Sequence, residues 1–192
     1  MAHRITVLDT ETTGLSQENG AKIIELAFLT YDLDSRVLLD TWVQRFDPQQ
    51  AIDPKAQAVH GISYSDLVGQ PTWNEKAVEI AERMNKADLI VAHNMDFDGP
   101  FIAGELLRVG QDVPDVYSVC TMKGARWACP DGKLPKLGEL CFALGIDYDK
   151  SKAHGAEYDV QVTAACFFAG LDRGFYNLPK SMLAVDAELK AA

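Results

Sequence analysis

The chain has 192 residues and a formal net charge of −10 at pH 7, from 28 acidic and 18 basic residues. With 47% hydrophobic residues, a chain of this length is expected to form one globular domain with a sizeable core. The acidic balance argues against a protein that holds nucleic acid through a broad basic surface. It is compatible with an enzyme that grips only a few terminal nucleotides.

Location and redox state also follow from composition. No apolar stretch is long enough to span a bilayer, and the N-terminus lacks the basic segment and apolar core of a secretory signal. We therefore expect a cytoplasmic protein. The cysteines show no Cys-x-x-Cys spacing, so we expect neither zinc nor disulfides, but reduced and mostly buried thiols at Cys120, Cys129, Cys141 and Cys166.

The first predicted element is a buried strand over residues 4–8, which are mostly apolar and β-branched and are followed by Asp9-Thr10-Glu11. Alternate residues of a strand point to the same face, so Asp9 and Glu11 would project together from the strand's end while Thr10 points away. Two adjacent carboxylates repel each other unless a divalent cation lies between them, which indicates a metal site. For this motif alone, a solvated strand end is the commoner alternative.

Two more strands are predicted over residues 22–32 and 36–46. Because the connections are short, the three strands should form an antiparallel meander. Glu25, inside the second strand, is expected to face solvent or to be hydrogen-bonded rather than to act as a further catalytic acid. Residues 52–67 predict a turn-rich connection, and the spacing of apolar residues predicts a helix over residues 74–85.

Strands and helices then alternate, which is typical of parallel strands joined by crossovers. A buried strand is predicted over residues 88–92, a helix over residues 97–109 and a strand over residues 116–119. A second helix is expected to open at Cys120-Thr121, and a short helix over residues 136–144 is ended by Gly145. Asp98 falls in the first turn of its helix, where the helix dipole favours an acid whether or not it has a function.

The last predicted element is a buried helix that starts near Ala156 and includes the apolar residues 160–171. His154 lies on the loop before this helix and Asp159 lies in its early turns, so both side chains can face one point at the edge of the sheet. An imidazole beside a metal-bound water is suited to accept a proton near neutral pH. A histidine before a helix is also a common cap or surface residue.

The order of these motifs resembles one family, the DEDDh 3′–5′ exonucleases. Its three motifs match Asp9-Thr10-Glu11-Thr12-Thr13-Gly14-Leu15, His93-Asn94-Met95-Asp96-Phe97-Asp98 and His154-Gly155-Ala156-Glu157-Tyr158-Asp159. The resemblance covers about residues 5–170. Within the family, residues 52–62 are similar to the proofreading (epsilon) subunit of bacterial DNA polymerase III, and residues 119–126 to exodeoxyribonuclease X.

The resemblance implies an α/β, ribonuclease H-like fold, with a central five-stranded mixed sheet of three antiparallel strands and then parallel strands, flanked by helices. We expect an exonuclease domain over residues 1–175. The C-terminal tail, residues 176–192, could form an amphipathic helix that docks on a partner or covers the protein's own core.

The resemblance also implies roles for the site residues. Asp9, Glu11, Asp98 and Asp159 become ligands of two Mg²⁺ or Mn²⁺ ions, and Asp96 becomes a bystander. His154 becomes the general base of a two-metal hydrolysis that releases nucleoside 5′-monophosphates. The matching substrate contacts come from Thr10, Leu15, His60 and Phe101; for His60 a turn-stabilising role, and for Phe101 a core role, stay open as alternatives.

The expected function is therefore a metal-dependent 3′–5′ exonuclease acting on single-stranded nucleic acid or frayed 3′ ends, with DNA favoured, in DNA repair or replication proofreading. The alternatives are a 3′–5′ exoribonuclease or oligoribonuclease of the same superfamily and a proofreading subunit that acts mainly through a polymerase partner. An inactive nucleic-acid-binding relative is disfavoured because all five expected site residues are present.

Overall fold

A five-stranded mixed sheet forms the centre of the computed structural model, which describes residues 3–183. The strands are β1 (Arg4–Thr12), β2 (Ile23–Asp32), β3 (Leu38–Arg45), β4 (Leu89–Ala92) and β5 (Tyr117–Cys120). Their order across the sheet is β3-β2-β1-β4-β5. The first three strands pair antiparallel, whereas β4 pairs parallel to β1 and β5 parallel to β4. This topology confirms the predicted α/β fold with a meander followed by parallel strands.

Helices connect and cover the strands. The α-helices in the described range are α1 (Pro54–His60), α2 (Trp73–Asn85), α3 (Met95–Arg108), α4 (Leu137–Leu144), α5 (Ala156–Asp172) and α6 (Lys180–Leu183), and 3₁₀ helices cover Tyr64–Asp66 and Lys123–Ala128. None of these helices has the length and apolar composition needed to cross a membrane.

The connection predicted to be turn-rich over residues 52–67 contains one short α-helix, α1, that was not predicted. Asp53 caps this helix by accepting a hydrogen bond from the backbone N–H of Lys55, and Pro54 takes the first helical position, where its missing N–H costs nothing. Gly61 ends the helix with a φ of 74°, a left-handed conformation that favours glycine.

The helix predicted to open at Cys120-Thr121 also differs. Cys120 is the last residue of β5, and the following turn leads to the 3₁₀ helix that begins at Lys123. Ala125 interrupts that helix with a φ of −121°. The polar and small residues of this segment therefore form a short connector rather than an α-helix.

The sheet separates two hydrophobic clusters, as the period of two in a strand requires. In β1, Leu8 packs on the face covered by α2 and α3, whereas Ile5 and Val7 pack on the face covered by α5. The first seven residues of β2 are all buried, as expected for a strand covered on both faces.

The strand β1 pairs with its two neighbours over unequal lengths, which leaves part of its edge unpaired. β1 pairs with β4 only from Ile5 to Val7, whereas its pairing with β2 continues to Thr12. The segment from Asp9 to Thr12 therefore has an unpaired edge on the side of β4. Asp9 and Glu11 lie inside β1 and not at its end, which corrects the predicted strand boundary at residue 8.

The chain continues to pack on the core after α5. Tyr176 is buried and stacks on Phe167, with ring centroids 5.9 Å apart, and Met182 is buried in the same cluster. The helix predicted for the C-terminal tail is described only as α6, and residues 184–192 lie outside the described residues. The domain boundary at residue 175 stays a prediction.

Candidate active site

Three carboxylates meet at the open edge of β1. One oxygen each of Asp9, Glu11 and Asp159 lies within 4.8 Å of the others. Asp9 and Glu11 share a face because they are two residues apart in a strand. Asp159 reaches them from the first turn of α5, which packs on that face. The fold thus brings together acids that are about 150 residues apart in the sequence.

The electrostatics of this cluster are unfavourable without a cation. Burial raises the pKa of Glu11 to about 9, and it also raises the pKa of Asp9 and of Asp159. Neighbouring negative charges contribute to the raised pKa of Asp9 and of Glu11. Within residues 3–183, neither Lys nor Arg forms an ion pair with any of the three. Asp159 Oδ1 is buried without a hydrogen-bond partner. An all-carboxylate set of this kind suits hard divalent cations such as Mg²⁺ or Mn²⁺.

Asp98 lies beside this cluster but outside the group of three. Its Oδ1 accepts a hydrogen bond of 2.7 Å from the Thr10 hydroxyl, and its side chain is buried. After burial, the charge of Asp98 is the next largest cause of the raised pKa of Asp9, so the two carboxylates are close. Burial also raises the pKa of Asp98 to about 7, although the hydrogen bond from Thr10 opposes this shift. Thr10 therefore points away from Asp9, as predicted, and holds Asp98.

His154 occupies the turn immediately before α5, and its side chain is exposed. Its backbone has a φ of 63°, which is uncommon for a residue with a side chain. The backbone N–H of His154 donates a hydrogen bond of 2.9 Å to Asp159 Oδ2. This bond fixes the turn against the acidic cluster, so the imidazole of His154 is placed next to Asp159 and remains accessible to solvent.

The other predicted contact residues differ in exposure. Leu15 is 83% exposed on the loop after β1, where an apolar side chain can meet a base. His60 Nδ1 accepts a hydrogen bond of 3.0 Å from the Ile62 N–H, which supports the turn-stabilising alternative, and burial lowers the pKa of His60. Phe101 is 2% exposed and packs on Phe97 with a centroid distance of 4.9 Å, so the structure favours its core role.

Glu25 and Arg45 adjoin the site, and only the first was considered from the sequence. Glu25 is buried; its Oε1 accepts a hydrogen bond of 2.6 Å from Arg45 Nε and its Oε2 accepts one of 3.1 Å from the Ala156 N–H. The expectation that Glu25 is hydrogen-bonded is therefore correct. Arg45 was missed because only the register of β2 against β3 places it opposite Glu25.

The histidine of the second motif has a structural role. His93 Nε2 donates to the Pro135 carbonyl at 3.2 Å, so Nδ1 accepts from the Thr121 hydroxyl at 2.9 Å. Burial lowers the pKa of His93 to about 4, which keeps the imidazole neutral. His93 thus ties the end of β4 to two loops behind the site.

Known proteins are similar in sequence to most of this chain. The exonuclease family model (RNase T) matches residues 6–167. The DNA polymerase III subunit epsilon of Escherichia coli (strain K12) is 34% identical over 174 residues, which cover 86% of this chain and 70% of that protein. The 3′–5′ exonuclease DinG of Bacillus subtilis (strain 168) is 29% identical over 88% of this chain but only 18% of its own length.

Solved structures show the same fold. E. coli exonuclease I in complex with an oligonucleotide superposes with a TM-score of 0.73 at 20% identity, over 88% of this chain; the match spans 40% of the exonuclease I chain. Exonuclease X in complex with 5′ overhanging duplex DNA superposes with a TM-score of 0.66 at 23% identity, over 90% of this chain and 94% of that one. By its sequence and its fold, the chain belongs to the exonuclease family, in the DEDDh, ribonuclease H-like group, and its enzyme class is 3′–5′ exonuclease.

Proposed function

We propose that the protein is a cytoplasmic, metal-dependent enzyme that removes nucleoside 5′-monophosphates from the single-stranded or unpaired 3′ ends of DNA. One observation carries the proposal: Asp9, Glu11 and Asp159 converge with oxygens within 4.8 Å, and among residues 3–183 no Lys or Arg side chain pairs with them. A cluster of buried like charges is costly unless it serves a bound cation.

The residues that would hold metal are Asp9, Glu11, Asp98 and Asp159, which together offer enough oxygens for two Mg²⁺ or Mn²⁺ ions. Bound there, the ions would neutralise the phosphate charge, lower the pKa of a water molecule and stabilise the departing 3′ oxygen. Thr10 would keep Asp98 turned toward the site through its hydrogen bond of 2.7 Å. The Ala156 end of α5, fixed by Glu25, would keep Asp159 in place.

His154 would be the general base. In an in-line displacement the water oxygen attacks phosphorus, the bond to the 3′ oxygen breaks, and the imidazole of His154 takes the proton of the water. Its exposed position beside Asp159 supports this role, since the group must exchange protons with solvent in each turnover.

The substrate assignment to single-stranded DNA is supported by two features. Leu15 is exposed on the loop that follows β1, His60 is half-buried, and an extended strand can lie across an open sheet edge more readily than a duplex. A DNA polymerase subunit is among the relatives in sequence, and exonuclease I in complex with an oligonucleotide is among the solved structures with the same fold. An exoribonuclease and a partner-dependent proofreading subunit are the alternatives, because no residue here can be assigned a contact to the 2′-hydroxyl.

The test is time-resolved digestion of 5′-labelled DNA and RNA oligonucleotides with Mg²⁺, with Mn²⁺ and with a chelator. The wild-type protein should give a metal-dependent ladder that shortens from the 3′ end and runs faster on DNA. Asp9→Ala should abolish the ladder and His154→Ala should slow it strongly, whereas Asp34→Ala, an exposed acid in the β2–β3 turn, should match wild type.

The outcomes separate the alternatives. Faster digestion of RNA would reassign the substrate. No digestion of either polymer by folded protein would leave a partner-dependent subunit or an inactive nucleic-acid-binding relative as the explanation. Digestion that persists in the chelator would contradict the proposed metal dependence.

A further inference from the structure

A row of three charged residues crosses the sheet beside the acidic cluster. Glu11 in β1 is directly opposite Glu25 in β2, and Glu25 is directly opposite Arg45 in β3. Residues directly opposite each other in antiparallel strands share a face of the sheet. Arg45 therefore lies on the same face as Glu11, two strands away, which corresponds to about 10 Å between their Cα atoms.

Glu25 holds the Arg45 side chain in one orientation. The Glu25 side chain is 7% exposed and bonds to Arg45 Nε at 2.6 Å through Oε1. Its other oxygen bonds to the Ala156 N–H, at the beginning of α5, so Glu25 is itself fixed from two sides. A charge-assisted bond to a rigid acceptor lowers the entropy that Arg45 would lose on binding a ligand.

The remaining donors of Arg45 are available. Its side chain is 43% exposed, and within the described part of the chain its two Nη groups have no hydrogen-bond partner. A planar guanidinium with free Nη groups matches the geometry of a phosphate. Because the chain carries a net charge of −10 and an acidic site, a positive group on this face would be needed to attract a polyanion.

We propose that Arg45, oriented by Glu25, binds a phosphate of the substrate strand on the 5′ side of the scissile bond. This inference rests on the proposed function. The scissile phosphate belongs at the carboxylate cluster, whereas Arg45 lies two strands away from Glu11 and is held by Glu25. The terminal nucleotide brings only the scissile phosphate, so a second phosphate must come from the nucleotides that precede it. Arg45 is then a binding residue that retains the strand between successive cleavages.

The test compares a substrate that has only the scissile phosphate with one that has more. The p-nitrophenyl ester of thymidine 5′-monophosphate is the minimal substrate, and a short single-stranded DNA oligonucleotide is the full one. Arg45→Gln should lower the ratio of kcat/KM on the oligonucleotide to kcat/KM on the ester by about tenfold, mainly through KM. Arg45→Lys should give a smaller loss, because it keeps the charge but not the planar fork.

A set of oligonucleotides, each with one methylphosphonate at a different position, shows which phosphate Arg45 contacts, because a methylphosphonate linkage is neutral. Neutralising the contacted linkage should weaken wild-type binding about tenfold, measured as KM, and should have little further effect on Arg45→Gln. The matched control is Arg108→Gln. Arg108 is 45% exposed and pairs with the buried Glu105, but it lies at the far end of α3 from Asp98, so its ratio should equal that of wild type.

Arg45→Gln leaves the buried Glu25 carboxylate without its partner. The double variant Glu25→Gln/Arg45→Gln therefore serves as a second test, in which the unpaired charge of Glu25 is also removed. An equal loss on ester and oligonucleotide in both variants would overturn the inference, because it would show that Arg45 acts only through the structure of the site. An unchanged ratio would overturn it as well. If wild type hydrolyses neither substrate, the proposed function itself fails, which is a distinguishable result.

Discussion

Two sets of buried carboxylates in this protein are treated in opposite ways. Glu25 and Glu105 each pair with an arginine, Arg45 and Arg108. The other set contains Asp98 and the converging acids Asp9, Glu11 and Asp159. Within the described residues, the side chain of Asp98 is hydrogen-bonded only to a neutral hydroxyl, that of Thr10.

The difference separates acids that are compensated within the protein from the acids of the proposed metal site. A paired buried acid is compensated within the protein, and its removal affects mainly folding and positioning. Unpaired acids make the folded state less stable until a cation binds, so their presence is explained by function. Burial alone does not identify the site, because Glu25 and Glu105 are as buried as Asp98.

The largest expected effect comes from two acids that are two residues apart. Asp98→Asn removes a buried, unpaired carboxylate and should lower the rate of oligonucleotide hydrolysis by about 10³-fold, because it removes charge at the metal site. Asp96→Asn removes an exposed acid that pairs with Lys123 and should leave the rate within about twofold. Equal losses in the two variants would contradict the division between the two sets.

Breaking a paired acid should affect stability instead. Arg108→Ala leaves Glu105, whose side chain is 3% exposed, without its cation, and should lower the free energy of unfolding by about 2 kcal/mol. Urea denaturation at pH 7 measures this loss. The control is Arg36→Ala, which breaks an ion pair with both partners exposed and should cost less than about 1 kcal/mol.

Low pH should create an unpaired buried charge at His93, because its imidazole becomes protonated. Its folded pKa of about 4 lies below the ordinary value of 6.5, so the unfolded chain binds the proton first as the pH falls. The contribution of neutral His93 to the free energy of unfolding is therefore complete above about pH 6.5 and decreases as the pH falls toward 4. Denaturation should show about 2 kcal/mol less stability at pH 5 than at pH 7 from this group. An NMR titration of the imidazole near pH 6.5 would disprove the assignment.

The smallest expected effect has the opposite sign. Glu11→Gln removes a carboxyl group whose charged form is disfavoured in the folded state but free to form in the unfolded chain, so in chelator at pH 7 the variant should be more stable than wild type by about 1 kcal/mol. Adding Mg²⁺ or Mn²⁺ should raise the melting temperature of wild type more than that of the variant, since the variant has lost a ligand. Differential scanning fluorimetry with and without metal checks both statements.

Motif positions and strand periodicity predicted most of the sheet and the place of the acids. Short connections predicted the antiparallel meander, the later alternation of strands and helices predicted parallel pairing, and the two-residue spacing of Asp9 and Glu11 placed them on one face. The position of β4 beside β1 was not predicted. Less predictable was the end of β1, because its continuation to Thr12 depends on pairing with β2. The seven-residue α1 was missed because it is too short for apolar periodicity to reveal it.

Contacts between distant segments set the remaining limits. The bonds of Glu25 to Arg45 and Ala156 join residues 20 and 131 positions away, and no local pattern encodes them. Whether Phe101 is in the core or on the surface depends on how α3 rotates against the sheet, which its sequence alone left open. The hydroxyl of Thr10 was predicted to point away from the first acid pair, yet its partner Asp98 could not be identified without the fold.

The acids of the cluster come from the first strand and the last long helix, β1 and α5. During synthesis, the growing chain therefore lacks the complete carboxylate cluster until α5 has left the ribosome and packed on the sheet. A fragment that stops before α5 would lack both Asp159 and His154. Nuclease activity consequently requires that nearly the whole described fold is in place, so fragments from interrupted translation that end before α5 should be inactive.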